Sequence, residues 1–523
     1  MEERQLKSLL QPAAYPEPVA EVRLIQTHVS CIFLAGKFAY KIKKPVNFGF
    51  LDFSTLDRRR FYCQEELRLN RRLCPEIYLD VVKVHEAPEG AAFYGDGMVL
   101  DYAVKMIRLP EERMADRLLT DGRLSEADVQ SIAAKIAAFH RQALTGGEID
   151  RYGSLETIRR NWEENFHQVE EFTGITITLQ DLGIIREWTE QFMTGKAELF
   201  SRRVAGGFIR ECDGDLHLAN ICLTDRVCIF DCIEFNSRFR YSDTIADIAF
   251  LIMDLEFRGH RDLALVFLRE YIAASGDAGV SDLVDFYSIY RAFIRGKVGS
   301  FRLKDPGIPL VEKETAKEKA IRYFRLARGY ILREQLAPAL IVVGGLTGSG
   351  KSTIAEALAK ELGLELLSSD RIRKELAGVP LRQHSHDEYG GGLYSPAASE
   401  AAYRELLARA DRSLAAGQSV IIDATCQKRK VRESLQRLAA SREVPLYLFV
   451  VEAPEEIIRE RLAKRVREGT SISDGRWEIY LRQKEEFEPV MDSEGVSVTI
   501  DSSAPLHETV DLILGAMGLL PPG

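Results

Sequence analysis

The sequence predicts a multidomain chain, an α+β first part followed by an α/β second part built on a parallel sheet. Three observations carry that prediction. At 523 residues the chain exceeds what one core serves, and ordinary domain sizes give about three units or fewer. From residue 338 onward, short β-branched runs alternate with helical stretches, as in a parallel sheet covered on both faces. Before it, residues 20 to about 110 alternate like strands around one helical stretch, and residues 111 to about 330 follow helical periodicity around a β-rich island at 207–234. The boundary falls near Arg333-Glu-Gln-Leu-Ala-Pro338, where the proline closes a long basic helix running from Lys313 to Arg333. The domains are then 1–335, itself divided near 110, and 338–523.

Composition narrows the function classes. Hydrophobic residues at 46% and charged residues at 28% are ordinary for a globular protein in water. A net charge of −9 argues against a chain built mainly to grip nucleic acid. No apolar run reaches the length of a membrane span, and the Met1-Glu-Glu-Arg-Gln5 start carries no signal-peptide core. The eight cysteines include no C-x-x-C pair. Cys212, Cys222, Cys228 and Cys232 are close in sequence, yet the spacing is too loose for a zinc site, so reduced, half-buried thiols are expected. The expectation is a cytoplasmic protein with neither membrane nor nucleic acid as partner.

The most specific motif is Gly345-Leu346-Thr347-Gly348-Ser349-Gly350-Lys351-Ser352, followed by Thr353. It fits G-x-x-x-x-G-K-[ST], and its context is right, with a strand-like run 339–343 before it and good helix formers after it. The glycines let backbone N–H groups turn toward phosphate oxygens, and the helix start adds its positive end. Lys351 would reach the outer phosphates and the Ser352 hydroxyl would hold Mg²⁺. The ligand expected is ATP, with GTP as the alternative.

Four more strands follow, at 365–369, 418–423, 445–451 and 496–500. Ligands of such sheets sit outside the carboxyl ends of the strands, where Asp370 and Asp423 fall. A carboxylate there can take a proton from a hydroxyl or hold Mg²⁺. A helix starting at 371 would aim Arg373 at the same place. In the basic helix after the fourth strand, Arg461 and Arg465 are one turn apart, as a charge-neutralising lid requires. With these pieces in place, residues 338–500 resemble the phosphate-loop kinases that include polynucleotide 5′-kinase, zeta toxins and chloramphenicol phosphotransferase. The resemblance implies Asp370 as general base toward a hydroxyl acceptor and Arg373 on the acceptor or its phosphate. It also implies Arg465 as the transition-state arginine, with Arg461 in support. His384-Ser-His-Asp-Glu-Tyr-Gly-Gly-Gly-Leu-Tyr394 is expected as a flap, its two histidines being surface groups rather than metal ligands.

In the first part, a carboxylate-rich loop at Asp213-Gly-Asp215-Leu-His-Leu-Ala-Asn220 precedes two apolar runs, 221–223 and 227–230. A tight turn at Asp225-Arg226 would pair 224 with 227, 221 with 230 and 220 with 231. Asn220 and Asp231 would then meet as ligands of one Mg²⁺, and Asp215 would orient or deprotonate an acceptor hydroxyl. This arrangement resembles the catalytic core of aminoglycoside phosphotransferases and their protein-kinase-like relatives. Asp213 stands where that family usually has histidine, and Asp247 resembles its structural aspartate. The resemblance implies a bilobal kinase-like fold with a nucleotide-holding lysine, Lys41 or else Lys43, and a helix glutamate, Glu66 or else Glu65. Residues 102–109 would connect the lobes, and no glycine-rich loop precedes the lysine strand. The function expected is a bifunctional kinase acting on small hydroxyl compounds. The alternatives are a nucleotide-gated regulatory or scaffold protein with one active half, and a nucleic-acid 5′-end kinase.

Overall fold

The computed structural model describes residues 1–380, 391–468, 475–491, 494 and 496–521. Residues 384–390 of the expected flap, including both its histidines, lie outside them. The chain parts into two compact units, Met1–Ala327 and Arg328–Gly523. The division falls inside the helix Leu310–Gln335, because Arg328, 1% exposed, is tied to Glu361 and, at 2.8 Å, to Asp511.

The first unit begins with a six-stranded antiparallel sheet. Its order is Val22–Gln26, Ser30–Ala35, Phe38–Lys43, Val99–Ile107, Tyr78–Ala87 and Gly90–Ala92. The Phe38–Lys43 strand is buried almost throughout, and Lys41 and Lys43, two residues apart, share one face. Helix Leu56–Asn70, opened by a Thr55 cap that accepts the Arg58 N–H, packs on the Val99–Ile107 strand. That strand pairs on both sides, so most of residues 102–109 is sheet interior, and any connection between sheet and helices starts after Ile107. The helical remainder packs around Trp162, which has no exposed surface and touches the rings of Phe166, Phe286 and Phe293.

The hairpin register differs from the expected one by one residue. Ile221 faces Ile229, Cys222 faces Cys228 and Leu223 faces Val227. The turn holds three residues rather than two, with the Thr224 N–H donating to the Arg226 carbonyl at 3.2 Å, and a one-residue slip exchanges the faces of a strand. The cysteines also differ from expectation. Cys74 and Cys228 form a disulfide, and the other six are fully buried rather than half-buried.

The second unit holds a five-stranded, wholly parallel sheet. Its order is Glu365–Ser368, Val420–Asp423, Leu340–Gly344, Leu446–Glu452 and Val496–Asp501. Leu340, Ile341, Val342 and Val343 have no exposed surface, as expected for a central strand covered on both faces. Among the described residues, no helix is long and apolar enough to cross a membrane.

Candidate functional site

In the second unit, the turn after Leu340–Gly344 takes left-handed backbone at Gly345, Gly348 and Gly350, with φ of 142°, 81° and 96°. At Gly345 the fit is also tight, since a Cβ there would lie 2.5 Å from the Val451 carbonyl oxygen. Helix Lys351–Leu362 starts directly behind the turn, so its free N–H groups open onto the loop. Val343 and Ser368 both pair with Asp423 across the sheet, which sets Asp423 beside the phosphate loop. Helix Ser369–Leu376 begins two residues earlier than expected and holds Asp370 in its first turn. Arg373 returns along that helix to pair with Asp370 at 2.5 Å. Lys351, Thr347, Asp370, Arg373 and Asp423 line one cavity of about 770 Å³.

Asp423 is 6% exposed and its Oδ1 has no hydrogen-bond partner. Burial raises its pKa above the ordinary aspartate value, while Lys351 and a hydrogen bond from Ser352 oppose the rise. A buried carboxylate oxygen left bare beside a serine hydroxyl is a donor set that fits Mg²⁺. The two arginines of the lid helix part company. Burial lowers the Arg465 pKa while Asp370 and Asp423 pull the other way, which places its charge in their field. Arg461 instead donates to the Ser349 carbonyl at 3.1 Å and to Ser502 Oγ and O at 2.8 and 2.7 Å. It clamps the phosphate loop to the end of the Val496–Asp501 strand.

In the first unit, alternating charges form a chain that is buried except at its Asp231 end. Lys41 pairs with Asp231 at 2.5 Å and with Glu66 at 2.9 Å; Lys43 pairs with Glu66 at 2.6 Å and also with Glu234. Burial alone would lower the Lys41 pKa, yet Asp231 and Glu66 hold it well above the ordinary lysine value. Glu65, the alternative, faces Arg68 instead. Asp231 follows the hairpin on left-handed backbone at φ 66°, a strained state for a non-glycine residue. Asn220 donates Nδ2 to the Asp215 carbonyl and carboxylate, both at 3.1 Å, which leaves its amide oxygen for a cation. The structure therefore joins Lys41, Glu66 and Asp231 in one group, and Asp215 and Asn220 in another.

The loop is held by groups that sequence reasoning only partly finds. Asp247 accepts the Asp213 N–H at 3.0 Å, the Gly214 N–H at 2.8 Å and His140 Nε2 at 3.1 Å. Sequence reasoning misses His140, itself bonded to the Tyr271 hydroxyl, and Arg291, which donates to the Gly214 carbonyl. His140, Cys212 and Asp247 are close enough to share a metal ion, but both imidazole nitrogens already serve hydrogen bonds. Asp213 is 1% exposed. Burial, with Asp247 and Asp215 nearby, pushes its pKa far above the usual aspartate range, and its Oδ1 accepts the Asp215 N–H. Glu234, which pairs with the alternative lysine Lys43, Gln483 accepting the Thr347 N–H at 2.9 Å, and Ser502 are missed as well. Only Glu234 has a signal in the sequence, three residues after Asp231.

Known proteins match the second unit and, in a few relatives, most of the chain. A family model described as an AAA domain matches residues 340–490. A cytidylate kinase of Methanopyrus kandleri is 29% identical over 163 residues, covering 31% of this chain and 78% of that one. Among solved structures, a gluconokinase from Sinorhizobium meliloti 1021 shares 24% identity, with 35% of this chain and 92% of that one covered and a TM-score of 0.24. By the family match and the cytidylate kinase, the second unit is a phosphate-loop domain similar to a kinase. Over nearly the whole length, uncharacterised proteins of Mycobacterium tuberculosis (strain H37Rv) and Mycobacterium bovis are each 32% identical over 450 residues. They cover 86% of this chain and 87% of their own. The chain belongs to the family of these mycobacterial proteins.

Proposed function

We propose that the chain is a two-part phosphotransferase whose second unit moves the γ-phosphoryl group of ATP, or of GTP, to a hydroxyl of a small molecule. The observation that carries this reading is the convergence of Lys351, Asp370 and Asp423 on one cavity. Lys351 and the loop amides bind and orient the triphosphate. Asp370 accepts the proton of the acceptor hydroxyl as its oxygen bonds to the γ-phosphorus and the bond to the nucleoside diphosphate breaks. Arg465, whose charge feels Asp370 and Asp423, would offset charge that grows on the transferring group. Ser352 and Asp423 would hold Mg²⁺, which neutralises phosphate charge when bound.

In the first unit, Lys41, held by Glu66, suits a nucleotide phosphate, Asn220 and Asp231 would be the ligands of a magnesium ion, and Asp215 suits an acceptor hydroxyl. That set supports an aminoglycoside-phosphotransferase-like kinase. A second reading makes this unit a nucleotide-gated regulator, and two observations favour it: buried Asp213 where the resembled family has histidine, and Lys41 already paired with Asp231.

The test is incubation with γ-labelled ATP and a cytosolic metabolite extract, followed by identification of the labelled product. Lys351→Ala should abolish transfer by the second unit. Asp370→Asn should slow it by about 10²–10⁴-fold with nucleotide affinity near normal. Unchanged transfer by the Asp370→Asn chain would remove this residue from the mechanism.

A further inference from the structure

We infer that Gln483 reads the terminal phosphate of the nucleotide in the second unit: its side-chain amide donates to a γ-phosphoryl oxygen and so separates triphosphate from diphosphate. The inference deepens the kinase reading above and rests on it.

The first observation is where Gln483 stands. It lines the 770 Å³ cavity together with Lys351, Asp370 and Asp423, and its Oε1 accepts the Thr347 N–H at 2.9 Å. Because that partner is a backbone donor, the amide oxygen must face it, and the Nε2 donors are turned elsewhere. Among the described residues, nothing accepts from Nε2. The side chain is thus half used: its acceptor braces the loop and its donors are left for a ligand. In the kinase reading, Lys351 and the helix start hold the inner phosphates, and the acceptor hydroxyl lies at Asp370. The γ-phosphoryl group lies between them, so it is the part of the nucleotide that enters this cavity.

The second observation is independent and belongs to the loop. Thr347, the third residue of the motif, lines the same cavity and is 3% exposed, and its hydroxyl has no hydrogen-bond partner among the described residues. A buried hydroxyl left without a partner is costly. A Cβ at Gly475 would collide with the Thr347 hydroxyl oxygen, so glycine lets the chain before helix Trp477–Glu485 lie directly on this residue. A phosphoryl oxygen accepts from several donors at once, and such hydrogen bonds are strengthened by its charge. It supplies what both Gln483 and Thr347 lack.

The helix that carries Gln483 is firmly placed. The Trp477 and Tyr480 rings stack with centroids 5.1 Å apart. They pack with Ile458 and Leu462 of helix Glu455–Glu468 and with Leu346 of the loop, and Lys484 pairs with Glu455. An amide fixed in this way donates to a phosphate without first having to be ordered. Gln483 also adds no charge to a cavity that already holds Lys351, so it selects by position rather than by general attraction.

The intact chain is titrated in a calorimeter with Mg-AMPPNP and, separately, with Mg-ADP. Binding that Lys351→Ala removes belongs to the second unit. Gln483→Ala should weaken Mg-AMPPNP at that site by about ten- to a hundredfold, the share of one hydrogen bond to a charged group, and leave Mg-ADP unchanged. Gln483→Glu still accepts the Thr347 N–H but donates nothing and sets a carboxylate against phosphate, so its loss of Mg-AMPPNP affinity should be at least as large. Leu481→Glu, the control, adds the same charge at an exposed position of the helix and should leave both affinities intact. A Gln483→Glu chain that binds Mg-AMPPNP like the parent would show that Gln483 only braces the loop, and overturns the proposal. Equal weakening of both nucleotides in the Gln483 variants overturns it too, as does equal loss in the Leu481→Glu chain. Tighter Mg-AMPPNP binding by Gln483→Ala also overturns it, making the glutamine a plug that nucleotide displaces. The kinase reading fails separately, through a Lys351→Ala chain that loses no nucleotide binding.

Discussion

Glu66, a carboxylate with no exposed surface, is paired with two lysines at once, and that duty sets how the first unit answers to acid. Burial alone would raise its pKa, but Lys41 and Lys43 override it and hold the group at about 2, against 4.5 for a free side chain. A depressed carboxylate contributes stability that is complete above the unfolded value of 4.5 and drains away as pH falls toward the folded one. Glu66→Gln should therefore cost about 3–5 kcal/mol near neutrality, the usual result of breaking a buried ion pair. The gap to the parent chain should narrow in denaturant unfolding at a pH between those two values. A gap that stays constant with pH would mean that Glu66 acts through packing rather than charge. Lys41 and Glu66 can be named from their places on a strand and a helix. The continuation of the chain through Lys43 to Glu234 cannot, because it depends on how far the loop after Asp231 turns back toward the sheet.

Two short elements govern whether these residues meet. The phosphate loop is legible because its backbone needs leave a mark in the sequence, and Gly345 shows the need most clearly. Its φ is 142°, and a Cβ at this position would stand 2.5 Å from the Val451 carbonyl oxygen, so Gly345→Ala must move either the loop or the neighbouring strand. Strain of this kind costs about 1–3 kcal/mol, and the expected outcome is loss of nucleotide binding in a chain that still folds. Normal affinity in that variant would show that the loop adapts freely. The hairpin 221–229 is legible only in outline, since its register hangs on one residue of turn length and no glycine or proline pins the turn. Its anchor, the Cys74–Cys228 disulfide, spans 154 residues and could not be paired from spacing. Closing so long a loop restricts the unfolded chain, so Cys228→Ser should lower stability by about 2–4 kcal/mol. An unchanged melting midpoint under non-reducing conditions would mean that the bond adds nothing to the fold.

At the scale of the whole chain, the two units are separable by texture, since one alternates strand and helix throughout and the other keeps its strands together. The sequence puts the boundary at the proline that ends the long helix, whereas packing places it earlier, where Arg328 turns to Glu361 and Asp511. Each unit has its own core and its own candidate phosphate site, Lys41 held by Glu66 in the first and Lys351 with its loop in the second. If both sets work, the chain takes up two nucleotides, and sites without shared ligands should titrate independently. Calorimetry with Mg-ATP should then count two molecules bound per chain. Lys351→Ala should remove one and Lys41→Met the other, each leaving the remaining affinity unchanged. A single nucleotide that disappears with Lys351→Ala and is untouched by Lys41→Met would make the first unit a scaffold, with Lys41 kept by Asp231 as a structural ion pair. A remaining affinity that shifts when the other site is removed would instead show the two units to be coupled, as a nucleotide-gated regulator requires.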